Sequence, residues 1–341
     1  MDRATLLKAL LGAGLGAAAL YVTLAHLVDA RRVLHELATA DPGWMLAAGA
    51  CEILWFLACA CGWRATFIPL GEAPARRWLL ALYTVKLMVN NVLSAGRVLG
   101  DVARVYYGAR LGWPLRSTVP TVLADIVLGN LGYILVVLAA LALSLSVARV
   151  PLELAVLNVA GLVAGAVLWA AMRSERACRE LYGVVCEAAE GLLRRLGYPL
   201  ESADEFADAT VRIFRSDRAW TALAHYTVGW AARVLRLCCV TWAIWPSAPP
   251  LVPVLMSVAV RGSAVLSVSP AGIGIIEGIT AGAMAVLGVD PSRVVAALLL
   301  DRVYATLIPV LLGAVSVLVL EQRALRGAGE RGRSRGGGGV R

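Results

Sequence analysis

The chain has 341 residues, 60% of them hydrophobic and only 16% charged, with a formal net charge of +9. A soluble domain carries nearer ~25% charged residues, so this composition excludes one and points to a polytopic α-helical membrane protein. The basic excess sits in loops and tail, where it speaks for topology and anionic lipid headgroups rather than for nucleic acid.

Residues 6–28 form a continuous apolar run behind Arg3 and Lys8. The run is long for a signal peptide and has no clean small-residue cleavage site, so it is read as the first span. Residues 44–63 make the second, and Arg64, Arg76 and Arg77 then flank a Pro/Gly-containing loop. Residues 78–95 are apolar but interrupted by Lys86, Asn90, Asn91 and Ser94, and 97–112 are mixed. Two long spans follow at 117–147, carrying Asp125, and at 151–172. Residues 173–218 are the one sizeable hydrophilic segment, arginine-rich and patterned as amphipathic helix at the membrane interface. A span over 219–245 carries Arg233 and Arg236, and 251–268 are apolar around Arg261. A glycine-rich break follows at 269–277, and 292–320 form the last span with Asp301 and Arg302. The Arg/Gly-rich tail, 321–341, is expected to be disordered. Residues 1–320 thus read as one membrane domain with halves at 1–147 and 148–320.

The two halves echo each other. A shift of 176 places Ala95-Gly96 on Ala271-Gly272, Asp101 on Glu277, Leu111-Gly112 on Leu287-Gly288 and Asp125 on Asp301. The register holds without a gap from residue 92 to residue 131. Internal repeats of this kind mark many transporter folds, with sites at the repeat interface and in broken helices.

Cytoplasmic loops collect Lys and Arg, which places both termini, the 173–218 segment and the 64–77 and 97–116 loops inside. The stretch between those two loops then dips in and returns. With the repeat applied, the chain is expected to have six full transmembrane helices plus two re-entrant hairpins, at 78–112 and 254–288, in inverted halves. The alternative is eight simple spans.

Two clusters carry the chemistry. Gly96, Arg97, Asp101 and Arg104, with Asn91 just before, join an acid to two arginines, and Asp101 and Arg104 share a helical face. Arginine suits phosphate because its planar fork makes paired hydrogen bonds. In the second cluster, Ser269, Pro270, Gly272, Gly274 and Glu277 break a helix. The helix restarting there would turn its amides and positive dipole end toward an anion. Asp125, Arg233, Arg236, Arg261 and Asp301 lie within or near spans, where charges face the bundle and pair. Arg302 beside Asp301, and Arg261 with Glu277, are the pairs suggested by position. The seven cysteines form no metal-type pair and five sit in apolar spans, so they are read as inert. No nucleophile triad, metal-ligand set or cofactor fingerprint is present, and no cofactor is expected.

Ser94-Ala95-Gly96-Arg97-Val98-Leu99-Gly100-Asp101-Val102-Ala103-Arg104, Pro270-Ala271-Gly272-Ile273-Gly274-Ile275-Ile276-Glu277, and then Arg302 in the last span, resemble the lysylphosphatidylglycerol synthase transmembrane family of flippase-like membrane proteins. The similarity runs from about residue 6 to 320. Leu99 stands where a second glycine is common, and Ala271 where glycine usually follows the proline. The acid–arginine pair of the middle span is reduced to Asp125 with Ile126. The resemblance implies a plasma-membrane protein that moves a phospholipid or polyprenol-linked lipid between leaflets. The headgroup phosphate would meet the first cluster, the second cluster and Arg302. The aminoacyl-transferase and glycosyltransferase domains of larger members are not found in this sequence, so no enzymatic activity is expected. The other reading is a non-transporting membrane subunit that partners a glycosyltransferase or lipid-modifying enzyme.

Overall fold

The computed structural model describes residues 17, 21–23, 28–93, 98–145, 152–184, 203–266 and 269–336. Among these the chain is helical, with turns between the helices and no strand. The run at 6–28 read as a first span lies almost entirely outside the described residues.

A short helix, α1 (Ala30–Ala38), is capped by Asp29, whose carboxylate accepts from the Arg31 and Arg32 amides. Asp41 caps α2 (Pro42–Phe67) in the same way, with proline at the first turn, where its missing N–H costs nothing. A 3-10 turn, Ile68–Leu70, and Gly71 end it. Then come α3 (Arg76–Val92) and α4 (Val98–Arg110), which pack on each other as a hairpin. The long α5 (Leu115–Leu145) and α6 (Leu152–Met172) follow. Residues 175–184 form α7, and α8 is Ala203–Arg215. Ser216 caps α9 (Asp217–Ile244). A second hairpin consists of α10 (Leu251–Leu266), the 3-10 turn Pro270–Gly272 and α11 (Ile275–Val286). The chain closes with α12 (Pro291–Arg302), a π-turn at Val303–Leu307 and α13 (Ile308–Gly336).

Among the described residues, four stretches are long and apolar enough to cross a bilayer: Pro42–Leu70, Leu115–Ala140, Asp217–Ile244 and Pro291–Arg323. Shorter apolar helices lie between them, as a polytopic membrane protein requires. The most extensive packing is between α2 and α9. These two helices contribute to both of the apolar cores. One core, around Trp63, Leu82, Leu128 and Phe214, supports the first hairpin. The other, around Val240, Met256, Met284 and Val295, supports the second.

Two parts of the chain differ from expectation. The amphipathic helices α7 and α8 do not merely rest at an interface. They bury Cys178, Tyr182, Phe206 and Phe214 in the first core, and the Tyr182 hydroxyl lies 2.8 Å from Thr210 Oγ1. Arg212 donates to the Pro69 carbonyl at 2.8 Å, tying α8 to the turn after α2. The tail read as disordered is instead helical as far as Gly336. Propagating a helix from an existing span needs no new nucleus, and the Leu, Ala, Arg and Glu of this stretch are good helix formers. Its first turn is also held: Arg110 Nη1 lies 2.5 Å from Glu321, and the Arg323 guanidinium sits 4.5 Å above the Trp78 ring.

Candidate functional site

The turn of the second hairpin meets the first hairpin inside the bundle. The turn at Pro270–Gly272 packs against α3, and Asn91, near the end of α3, donates to the Ala305 carbonyl in the π-turn at 3.3 Å. A π-turn leaves its carbonyls out of the regular ladder, so a side-chain donor finds one available. Between the two hairpins lies a cavity of about 730 Å³. That is the size of a small-molecule site and many times the ~30 Å³ share of one water.

Three buried charge networks form its walls. In the first, Lys86 Nζ lies 3.1 Å from Asp101 Oδ1 and 3.2 Å from Asp125 Oδ2. Arg104 Nη2 lies 2.8 Å from the same Asp125 oxygen and also bonds Asp101, its neighbour one helical turn back. The Tyr226 hydroxyl donates to the other Asp125 oxygen at 2.5 Å. The Arg104 guanidinium is wholly buried, 4.5 Å above the Trp63 ring and 5.5 Å from that of Tyr83. Asn90 accepts from the Gly100 amide at 3.0 Å, so the end of α3 caps the start of α4.

In the second network Arg236 presents its fork to Asp301, two hydrogen bonds of 2.9 Å each, and its remaining Nη1 to Glu52. The third lies at the turn of the second hairpin. Gly272 (φ 71°) and Gly274 (φ 82°) adopt the positive-φ backbone that glycine accepts readily, and Ala271 just before them is forced there too (φ 51°). The Gly274 amide donates to Glu277 Oε2 at 2.7 Å, a capping box for α11. Arg302 donates to Glu277 Oε1 at 2.7 Å and to the Ala271 carbonyl at 2.5 Å. Glu277 is fully buried.

An aromatic shelf completes the wall. Trp230 lies under two guanidinium groups, Arg261 at 4.8 Å and Arg233 at 5.5 Å from its ring centre. Arg233 also covers Trp55 at 4.5 Å, and Arg261 donates to Asn130 at 2.6 Å. Trp55 Nε1 and Thr306 Oγ1, both on the cavity wall, are buried without a hydrogen-bond partner among the described residues.

Of the expected site residues, Asn91, Asp101, Ser269, Gly272, Glu277 and Arg302 line this cavity, as do Asp125, Arg233, Arg236, Arg261 and Asp301. Gly96 and Arg97 lie outside the described residues. Arg104 is not on the wall but behind it, held by Asp101 and Asp125. Gly274 shapes the turn without lining the cavity, and the Pro270 side chain lies outside the described set.

The pairs suggested by position are corrected. Arg302 pairs with Glu277 and not with the adjacent Asp301, which belongs to Arg236. Arg261 bonds Asn130 and not Glu277. Consecutive helical residues point about 100° apart, so neighbours in sequence do not face each other. Asp125, beside Ile126 and so without an adjacent arginine, receives its cations from α3 and α4. Glu52, Lys86 and Tyr226 are the partners that the sequence did not disclose.

The fold and this site define a polytopic membrane protein with two helical hairpins around a polar, cation-rich cavity. A family model described as the lysylphosphatidylglycerol synthase TM region matches residues 7–313, and the chain belongs to that family. It is also similar to a UPF0104 membrane protein of Methanocaldococcus jannaschii, 21% identical over 305 residues, which cover 85% of this chain and 89% of the relative.

Proposed function

We propose that the chain moves lipids with anionic phosphate headgroups between the leaflets of the membrane, the headgroup entering the cavity between the two hairpins. The observation that carries this is the charge on the cavity wall and just behind it. Among the described residues, Lys86, Arg104, Arg233, Arg236, Arg261 and Arg302 outnumber Glu52, Asp101, Asp125, Glu277 and Asp301 by one. Arginine and lysine on that wall offer charge-assisted hydrogen bonds that an anionic phosphate accepts.

In this proposal six full spans carry two re-entrant hairpins from opposite faces, with both termini cytoplasmic. Rocking of the inverted halves exposes the cavity to each leaflet in turn. The hairpins and their mirrored acids, Asp101 and Glu277, support it. Arg104 stands behind the wall and is fully buried, so the headgroup contacts fall to cations on the wall: Lys86, Arg233, Arg261 and Arg302.

The test is leaflet exchange of fluorescent phosphatidylglycerol by purified protein in liposomes. Exchange above that of empty liposomes is expected, falling at least tenfold in Arg233→Gln and Arg261→Gln. Exchange at the rate of empty liposomes, by protein shown to be folded, would refute the proposal.

A further inference from the structure

The first charge network holds equal numbers of carboxylates and cations, but its two cations are not equivalent. Arg104 is 0% exposed, clamped between Asp101 and Asp125 and covered by the Trp63 and Tyr83 rings. Lys86 is 14% exposed on the cavity wall and carries its ammonium on a flexible four-carbon stem. The carboxylates differ in the same way: Asp101 is 14% exposed and lines the cavity, whereas Asp125 is 2% exposed.

We propose that this network couples headgroup binding to the uptake of a proton: an anionic phosphate group draws Lys86 away from Asp101, and Asp101 takes a proton from cavity water. This rests on the reading that the cavity binds an anionic headgroup. Once Lys86 turns to the phosphate, Arg104 alone faces two carboxylates. Like charges that close cannot both stay ionised in a low-dielectric site, and the more accessible one protonates. The groups facing Asp101 agree with that choice. From α3 it meets Lys86, with Tyr83 beside it. From its own helix it meets Arg104, and from α5 Asp125. Tyr226 and Arg233 on α9 and Cys59 on α2 stand behind Asp125 and Tyr83. Tyr226 already donates to Asp125, and Arg104 remains on it, so Asp125 keeps its charge.

The balance is simple. One monoanionic headgroup and one proton enter together, no bond is broken except O–H in a water-borne acid, and the loaded site has the charge of the empty one. Carriage across the membrane then moves no net charge, and a pH gradient supplies a driving force for lipid movement.

The experiment is calorimetric titration of the full purified chain with short-chain phosphatidylglycerol in two buffers of different ionisation heat. The phosphodiester keeps its single charge throughout, so any proton exchanged belongs to the protein. About one proton should be taken up per lipid, with Kd rising as the pH is raised. Asp101→Asn should abolish the uptake, flatten the pH dependence and tighten binding at high pH, because Lys86 is then released from one carboxylate. Lipid binding by the wild-type chain without proton uptake would overturn this inference and leave the binding reading intact. Persistence of the uptake in Asp101→Asn would also overturn it. No binding of lipid by folded protein would overturn both.

Discussion

Arg302 and Glu277 hold the second hairpin break from both sides. The guanidinium bonds the Glu277 carboxylate at 2.7 Å and the Ala271 carbonyl at 2.5 Å, so one side chain spans the turn and the helix that follows it. Removing either partner leaves the other charge buried. Glu277→Gln and Arg302→Met should each cost about 3–5 kcal/mol of stability. The double variant should cost less than the two single losses added, by about 1–3 kcal/mol. Unfolding in detergent with a denaturant series over the four proteins measures this. Simple additivity would mean that the pair is not coupled.

Arg236 serves two carboxylates, Glu52 and Asp301, all three nearly excluded from solvent. One guanidinium cannot neutralise both, and Glu52 Oε1 has no hydrogen-bond partner among the described residues. Glu52→Gln keeps an oxygen toward Arg236 and removes the excess charge. It should change stability by less than about 1 kcal/mol, or raise it, whereas Arg236→Met should cost about 3–5 kcal/mol by stranding two acids. Equal losses in the two variants would contradict this account.

How much of this was legible beforehand depends on the sequence distance involved. The spans follow from apolar length, and the Asp101–Arg104 contact from a three-residue spacing on one helix. The Gly274–Glu277 capping box is equally local. The partners that escaped are remote: Glu52 meets Arg236 across 184 positions, and Tyr226 meets Asp125 across 101. Glu52 lies within an apolar helix and Tyr226 in an aromatic-rich one, and no periodicity says which neighbour a side chain faces once helices pack. Lys86 stood in the sequence only as a break in an apolar stretch, yet the hairpin carries it to two acids.

Ala271 is the one non-glycine residue with positive φ among the described residues, at φ 51° and ψ 7°. The left-handed region costs an alanine about 1–2 kcal/mol through its Cβ, and glycine escapes that cost. Glycine also adds freedom to the unfolded chain, which takes back about 0.4–1 kcal/mol. Ala271→Gly should therefore stabilise the protein by up to about 1 kcal/mol, read as a rise in melting temperature in detergent. A fall in stability would show that the turn depends on the Ala271 methyl group.

Gly132 on α5 lets that helix approach α9 at the level of the first charge network. A Cβ there would lie 2.9 Å from the Thr227 amide nitrogen and 3.0 Å from the Tyr226 carbonyl carbon, backbone atoms that cannot swing aside. Gly132→Ala must separate the helices by several tenths of an ångström, and α5 carries Asp125 while α9 carries the Tyr226 that bonds it. The expected loss is about 1–3 kcal/mol from overpacking, together with weakened lipid exchange, because the Tyr226–Asp125 bond is stretched. Gly282 on α11 is the control: its Cβ would meet nothing within 4 Å. Gly282→Ala should leave stability unchanged or raise it by about 0.5–1 kcal/mol, the ordinary gain of alanine in a helix. If both alanines prove equally neutral, the close packing of α5 on α9 is not what sets the Tyr226–Asp125 geometry.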